Sequence, residues 1–176
     1  MKLFLIFLII SGFDEDFSKY VTNSFPESTA KPLFSLLSCT ADIEVLAPTM
    51  VFYSIVGGDE AFHNTETIAL AGTLTGTLVF GLKYITNRRR PRGEYTRLNS
   101  SFPSGHAATA FLIADYMGKK YPGFRPLLYS WAIGVGLSRI YLYRHWPSDV
   151  IFGGIIGIFA SRISLRFEDE IHLLFF

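Results

Sequence analysis

Five stretches of the chain, 45–58, 67–82, 103–114, 126–138 and 150–161, are apolar and contain no Asp, Glu, Lys or Arg. A helix on the surface of a soluble protein normally shows a charged face, so these runs predict helices that meet lipid or each other. None alternates apolar and polar residues with a period of two, which speaks against strands. Turn signals fall between the runs, at Gly57-Gly58 and Pro122-Gly123. Each run is shorter than the ~20 residues of a spanning helix, but two extend. The run from Thr67 continues through Ile85 if Lys83 snorkels to the interface, and the run from Val150 continues to Leu165. Within 67–82 only Thr and Gly are polar, and such small residues suit close helix packing in lipid. The expected fold is all-α: a compact membrane helical bundle of about five to six helices with the active site at one membrane edge.

Composition supports a membrane protein. The chain is 49% hydrophobic and 18% charged, with a formal net charge of +1. No general polyanion-binding surface follows from that balance, and no nucleic-acid module surrounds the basic cluster Arg88, Arg89, Arg90, Arg92 and Arg97. Nucleic acid is therefore not an expected partner. Cys39 stands alone, which excludes an internal disulfide and a cysteine cage, and it reads as a small buried hydrophobe.

The N-terminus has Lys2, eight apolar residues and then Ser11-Gly12 and Asp14-Glu15-Asp16. This fits a signal peptide or a retained anchor over 1–12. The remaining organisation is a short interfacial or periplasmic region over 13–43, a helical core over 44–165 and a tail over 166–176. Within the second part, 31–40 reads as a short amphipathic helix on the membrane.

Chemistry gathers at the edges of the apolar runs. Ser104-Gly105-His106 follows Pro103 and opens an apolar run. Backbone N–H groups at a helix start attract anions, and Gly105 lets the backbone come close to an oxygen. His145 and Asp149 lie four apart, on one side of a helical turn. A carboxylate on one imidazole nitrogen fixes the tautomer and frees the other as base or nucleophile. Lys83, Arg90 and Arg139 end or follow apolar runs, and such cations match phosphate oxygens. Each feature alone has a plainer reading: a helix cap, a surface histidine, a membrane anchor. Arg88, Arg89, Arg92 and Arg144 keep that reading, as anchors or headgroup contacts. A divalent metal on the two histidines and Asp149 is disfavoured by the three nearby cations and by loose spacing. His63 and His172 read as ordinary exposed residues, and Trp131 and Trp146 as packing or interface aromatics.

Taken together, Lys83-x6-Arg90-Pro91, Pro103-Ser104-Gly105-His106 and Ser138-Arg139-x5-His145-x3-Asp149 resemble the signature of the type 2 phosphatidic acid phosphatase family. That family includes membrane lipid phosphatases, bacterial acid phosphatases and vanadium haloperoxidases. Every signature position matches, and the resemblance covers about 67–165. It implies His145 as nucleophile, Asp149 as its orienting partner and His106 as general acid. It implies Lys83, Arg90, Ser104, Gly105 and Arg139 as phosphate ligands. It implies a phosphohistidine intermediate with no metal and no cofactor.

If the runs span, alternation brings all three motifs to one side. Lys119, Lys120, Arg125, Arg162 and Arg166 fall on the other, the cytoplasmic side by charge bias. The expectation is a lipid phosphate phosphatase of a bacterial-type inner membrane, facing the periplasm or exterior. Its substrate would be phosphatidylglycerophosphate, undecaprenyl pyrophosphate, phosphatidic acid or lipid A phosphate. The alternatives are a soluble exported acid phosphatase, a haloperoxidase and a non-enzymatic phosphate- or lipid-binding membrane protein. Oligomeric state is not legible.

Overall fold

The computed structural model describes residues 2–93 and 96–168. Among these residues it is all-helical. Seven α-helices run in order: α1 Lys2–Asn23, α2 Glu27–Cys39, α3 Ile43–Val56, α4 Gly58–Thr86, α5 Gly105–Lys120, α6 Arg125–Tyr141 and α7 Pro147–Arg166. Helices α2 and α3 meet at a 55° bend, the geometry of a broken span or of a re-entrant loop. Among the described residues the bundle has seven helices where about five to six were expected, the extra ones lying before residue 44. By length and composition α4 and α7 can each cross a membrane, and the α2–α3 pair makes a third crossing if it is one span.

The expected boundary at residue 12 does not show in the backbone, because α1 continues through it. From Asp14 on, α1 buries Asp14, Ser18 and Val21. That spacing of four and three is one helical face. The short helix expected over 31–40 begins earlier, at Glu27. It turns Ala30, Phe34 and Ser38 inward, and the Phe34 ring stacks on Tyr141 of α6 at 4.5 Å. Cys39 is exposed rather than buried, since it sits beside that inward stripe and not on it. Most of the expected 166–176 tail, with His172, lies outside the described residues.

Helix α5 is the axis of the bundle. Its alanines Ala107, Ala108, Ala110 and Ala114 are fully buried. Helix α7 packs against it through glycines. A Cβ on Gly157 would collide with the Ala108 carbonyl oxygen, and one on Gly153 with that of Ser104. Of the small residues in 67–82, Thr67, Ala71 and Thr75 are buried in the bundle, whereas the glycine contacts fall on α7. A Cβ on Gly72, Gly76 or Gly81 of α4 would meet nothing within 4 Å. The outside is apolar: Ile55, Leu74, Ile85 and Phe159 are all exposed, Ile85 at 78%. Such a continuous apolar exterior is what a bilayer accommodates and water does not.

One polar knot lies at the end of α5 remote from the motifs. Asp115, fully buried, accepts from Arg162 Nε at 2.6 Å and Nη2 at 2.8 Å, from Tyr129 at 2.6 Å and from Ser161 at 2.9 Å. Arg162 had read only as a cytoplasmic-side charge.

Candidate active site

The ends of α4 and α6 and the starts of α5 and α7 converge at one end of the bundle. Helix α4 stops at Asn87, which adopts a left-handed conformation (φ 48°) and turns the chain. The following segment then clamps the start of motif two. Ser101 N donates to Arg88 O at 2.8 Å, and Arg88 N donates to Ser100 Oγ at 3.1 Å. Lys83 Nζ reaches Ser100 O at 2.5 Å. Arg90, 8% exposed, donates from Nε to Asn99 O at 3.0 Å and from Nη1 to Arg144 O at 3.0 Å.

Ser104 is the N-cap of α5, and its hydroxyl accepts from Ala107 N at 3.4 Å. Its own N–H donates to the Asp149 carbonyl at 2.9 Å, which joins the start of α5 to the first turn of α7. Gly105 is the first residue of α5, so its amide is one of the unpaired donors at a helix start. Motif three forms a tight turn in which Arg144 N and His145 N both donate to Arg139 O, at 3.0 and 3.1 Å.

His145 is 2% exposed, and its Nδ1 donates to the Ser101 carbonyl at 2.7 Å. That bond fixes the tautomer and leaves Nε2 with the lone pair. Asp149 Oδ2 stands 3.8 Å from the same nitrogen. Asp149 caps Trp146 N at 2.8 Å, accepts a short bond from the Ser101 hydroxyl and takes Arg88 Nη1 at 2.6 Å. Its hold on His145 therefore runs largely through Ser101, rather than by the direct bond the spacing of four suggested. Burial pushes the His145 ring down to about 3, and Lys83 and Arg90 add to that against the opposing pull of Asp149. At neutral pH the ring is uncharged.

His106 Nε2 lies 2.6 Å from Asp42 Oδ1. Burial, then the Arg139 charge, hold its ring below its ordinary value against the pull of Asp42. Arg139 Nη1 donates a short bond to Ser38 Oγ, while its Nε is buried with no partner among the described residues. A buried guanidinium N–H without an acceptor is costly. It suits a site that receives an anion.

Sequence reasoning missed several participants. Arg88 is not a simple anchor. It ties Asp149 to Asp14 of α1 (Nη2 to Oδ2, 2.6 Å) and also binds Ser148 Oγ at 2.7 Å. No motif or spacing in the sequence marks Ser38, Asp42 or Ser101, and Asp14 falls outside the three motifs. Trp146 does more than pack, since its indole donates to Arg89 O at 3.0 Å. Asp14 had a usable signal, a carboxylate in register with Ser18 and Val21. Ser38 and Asp42 had none, because a bend places them.

Two histidines, three cations and a helix start gathered at one end of the bundle are groups able to bind and move a phosphoryl group. The chain belongs to the PAP2 superfamily, whose family model matches residues 65–172. A lipid A 1-phosphatase of Porphyromonas gingivalis is 39% identical over 107 residues, covering 58% of this chain and 23% of that protein. An undecaprenyl-diphosphatase of Sulfolobus acidocaldarius is 28% identical over 159 residues, 77% of each. The chain spans a quarter to a third of the lengths of the lipid A 1-phosphatases it matches. Among solved structures, Aquifex aeolicus LpxE superposes with a TM-score of 0.76 at 28% identity, covering 87% of this chain and 94% of that one. A transmembrane PAP2-type phosphatidylglycerolphosphate phosphatase from Bacillus subtilis gives 0.74 at 25% identity, covering 97% and 96%. The fold is thus that of the membrane-type PAP2 phosphatases.

Proposed function

We propose that this protein is an integral membrane phosphatase of lipid phosphates, working through a phosphohistidine without a metal. Its orientation is that of an inner-membrane enzyme whose site faces the periplasm or exterior. His145 Nε2 attacks phosphorus while the bond from phosphorus to the lipid oxygen breaks. His106 gives that oxygen its proton. Lys83, Arg90, Arg139, Ser104 and the Gly105 amide hold the remaining phosphate oxygens. Water then attacks the phosphohistidine, His106 takes its proton, the P–N bond breaks and inorganic phosphate leaves.

The observation that carries this reading is the His145 ring: uncharged, bonded through Nδ1 to Ser101, with Nε2 left over. The unpartnered Arg139 Nε supports it. A lipid substrate is favoured by an apolar groove of about 500 Å³ between α3, α4 and α5. It begins at Ile43, next to Asp42, and at Thr109, one turn along α5 from His106, and continues past Leu46, Met50 and Ile68. A chain esterified to a phosphate in the site would lie there. The apolar exterior argues against the soluble acid phosphatase.

Phosphate release from lipid A 1-phosphate, undecaprenyl pyrophosphate, phosphatidylglycerophosphate and phosphatidic acid tests the assignment, each with and without chelator. Turnover of at least one, unaffected by chelator and lost in His145→Ala, is expected. An acid-labile phosphoryl adduct should be trapped on the wild type. Full activity in His145→Ala would refute the nucleophile, and loss with chelator would refute metal independence.

A further inference from the structure

The elbow between α2 and α3 carries none of the signature, yet it forms a wall of the site. Three bonds from other helices fix it. Arg139 Nη1 holds Ser38 Oγ, Trp131 Nε1 donates to Thr40 Oγ1 at 2.8 Å, and His106 pairs with Asp42 at 2.6 Å. Asp42 stands at the N-cap of α3, but its side chain makes no capping bond. An Asp there ordinarily accepts from an amide two or three residues on. This one is turned away from its own helix and onto the imidazole.

We propose that Asp42 is a positioning residue for His106, fixing the orientation of the ring and stabilising the imidazolium that protonates the leaving oxygen. The proposal rests on the reading of His106 as general acid. The charges that act on the ring come from three elements. Arg139 on α6 and Arg90 after α4 oppose its protonation, and Asp42 at the start of α3 is the carboxylate that favours it. The other titratable groups of the site are committed elsewhere: Lys83 to Ser100 O, the uncharged His145 to Ser101 O and Asp149 to Arg88, Ser101 and Trp146. Without Asp42, the ring would stand between burial and two guanidiniums, and a proton would be hard to keep there. During transfer the proton passes to the ester oxygen as its bond to phosphorus breaks. The ring becomes neutral as the proton leaves it.

A merely structural role would lower activity equally at every pH and on every leaving group. A role through the acid would not. The full chain in detergent micelles, assayed on short-chain phosphatidic acid and on p-nitrophenyl phosphate, separates the two. The first has an alkoxide leaving group that needs a proton, and the second a stable phenolate that needs it less. Asp42 is half-exposed and makes no cap, so Asp42→Asn should fold with an unchanged melting temperature. It should move the alkaline limb of kcat/KM to lower pH, by roughly half a unit to one unit for a partly solvated neighbour. It should lose more rate on phosphatidic acid than on p-nitrophenyl phosphate, and Asp42→Glu should recover part of both. An unmoved limb with equal losses on the two substrates would overturn the proposal even where His106→Ala is inactive. Wild-type turnover of phosphatidic acid by His106→Ala would instead bring down the general-acid reading, and the role of Asp42 with it.

Discussion

Asp14 and Arg88, 74 positions apart, form a 2.6 Å ion pair between the first helix and the connection that follows α4. Asp14 is 1% exposed, and its other oxygen accepts from Ser148 N at 2.8 Å, in the first turn of α7. A carboxylate there complements the helix dipole and occupies an otherwise unpaired amide. The first helix is thereby tied to the turn that carries His145 and Asp149. Asp14→Asn keeps the shape but halves the hydrogen-bonding match and removes the charge. It should lower kcat/KM by roughly tenfold, equivalent to about 1.4 kcal/mol, and lower the melting temperature. Arg88→Gln should do likewise. Because the two share one network, the double variant should cost clearly less than the sum. Additive losses measured in such a cycle would show that the pair does not act as a unit.

His145 gives a pH signature in stability. Its folded value, pushed down to about 3 chiefly by burial, lies below its ordinary 6.5. Between those limits the unfolded chain binds a proton that the folded chain refuses, so this group's contribution rises with pH across the window and is fully present above about 6.5. The expected result is a wild-type melting temperature that falls between pH 6.5 and pH 4 more steeply than that of His145→Gln. Parallel curves for the two proteins would mean that the ring titrates normally in the fold.

The Asp115 knot should govern stability rather than chemistry. It lies at the far end of α5, and four donors converge on one buried carboxylate. Asp115→Ala leaves Ser161 and Tyr129 short of an acceptor. Arg162 is half-exposed and can turn to water, which moderates the loss. The cost should be about 1–3 kcal/mol, read as a lower melting temperature in detergent. The folded fraction should keep its KM. A changed KM with unchanged melting would place Asp115 in substrate handling instead.

The three motifs were legible because their spacings are local and their residue types are chemically demanding. Alternating helices then leave few ways to arrange them except at one end. The partners that complete the site were not legible, since tertiary bends deliver them. Asp42 reaches His106 across 64 positions only because α2 and α3 meet at 55°. Ser101 lies outside the three motifs, yet its carbonyl holds His145 and its hydroxyl holds Asp149. Arg88 resembled its neighbours in the basic run, and only the left-handed turn at Asn87 tells it apart. Small-residue content marked 67–82 for packing, and Thr67 and Thr75 do pack, but its glycines do not, because composition does not say which face of a helix meets a neighbour.

That last contrast is directly testable. Gly157 and Gly72 are both glycines within membrane-capable helices, but only Gly157 faces a backbone. In Gly157→Ala the new carbon would meet the Ala108 carbonyl oxygen and also Leu112 N, 2.8 Å away, so α5 and α7 must separate. Overpacking of this kind typically costs about 1–3 kcal/mol. Gly153→Ala presses on the Ser104 carbonyl, within motif two itself. It should therefore lose turnover as well as stability, since Ser104 N is bonded to the Asp149 carbonyl behind the nucleophile turn. Gly72→Ala meets nothing, and exchanging Gly for Ala inside a helix favours the helix by up to ~1 kcal/mol. The expected order of melting temperatures places Gly72→Ala at or above the wild type and the two α7 variants well below it. Of the three, only Gly72→Ala should keep full turnover of p-nitrophenyl phosphate, a substrate with no chain to enter the groove that Gly72 lines. Equal effects at Gly72 and Gly157 would mean that the α5–α7 contact does not set the spacing between the second and third motifs.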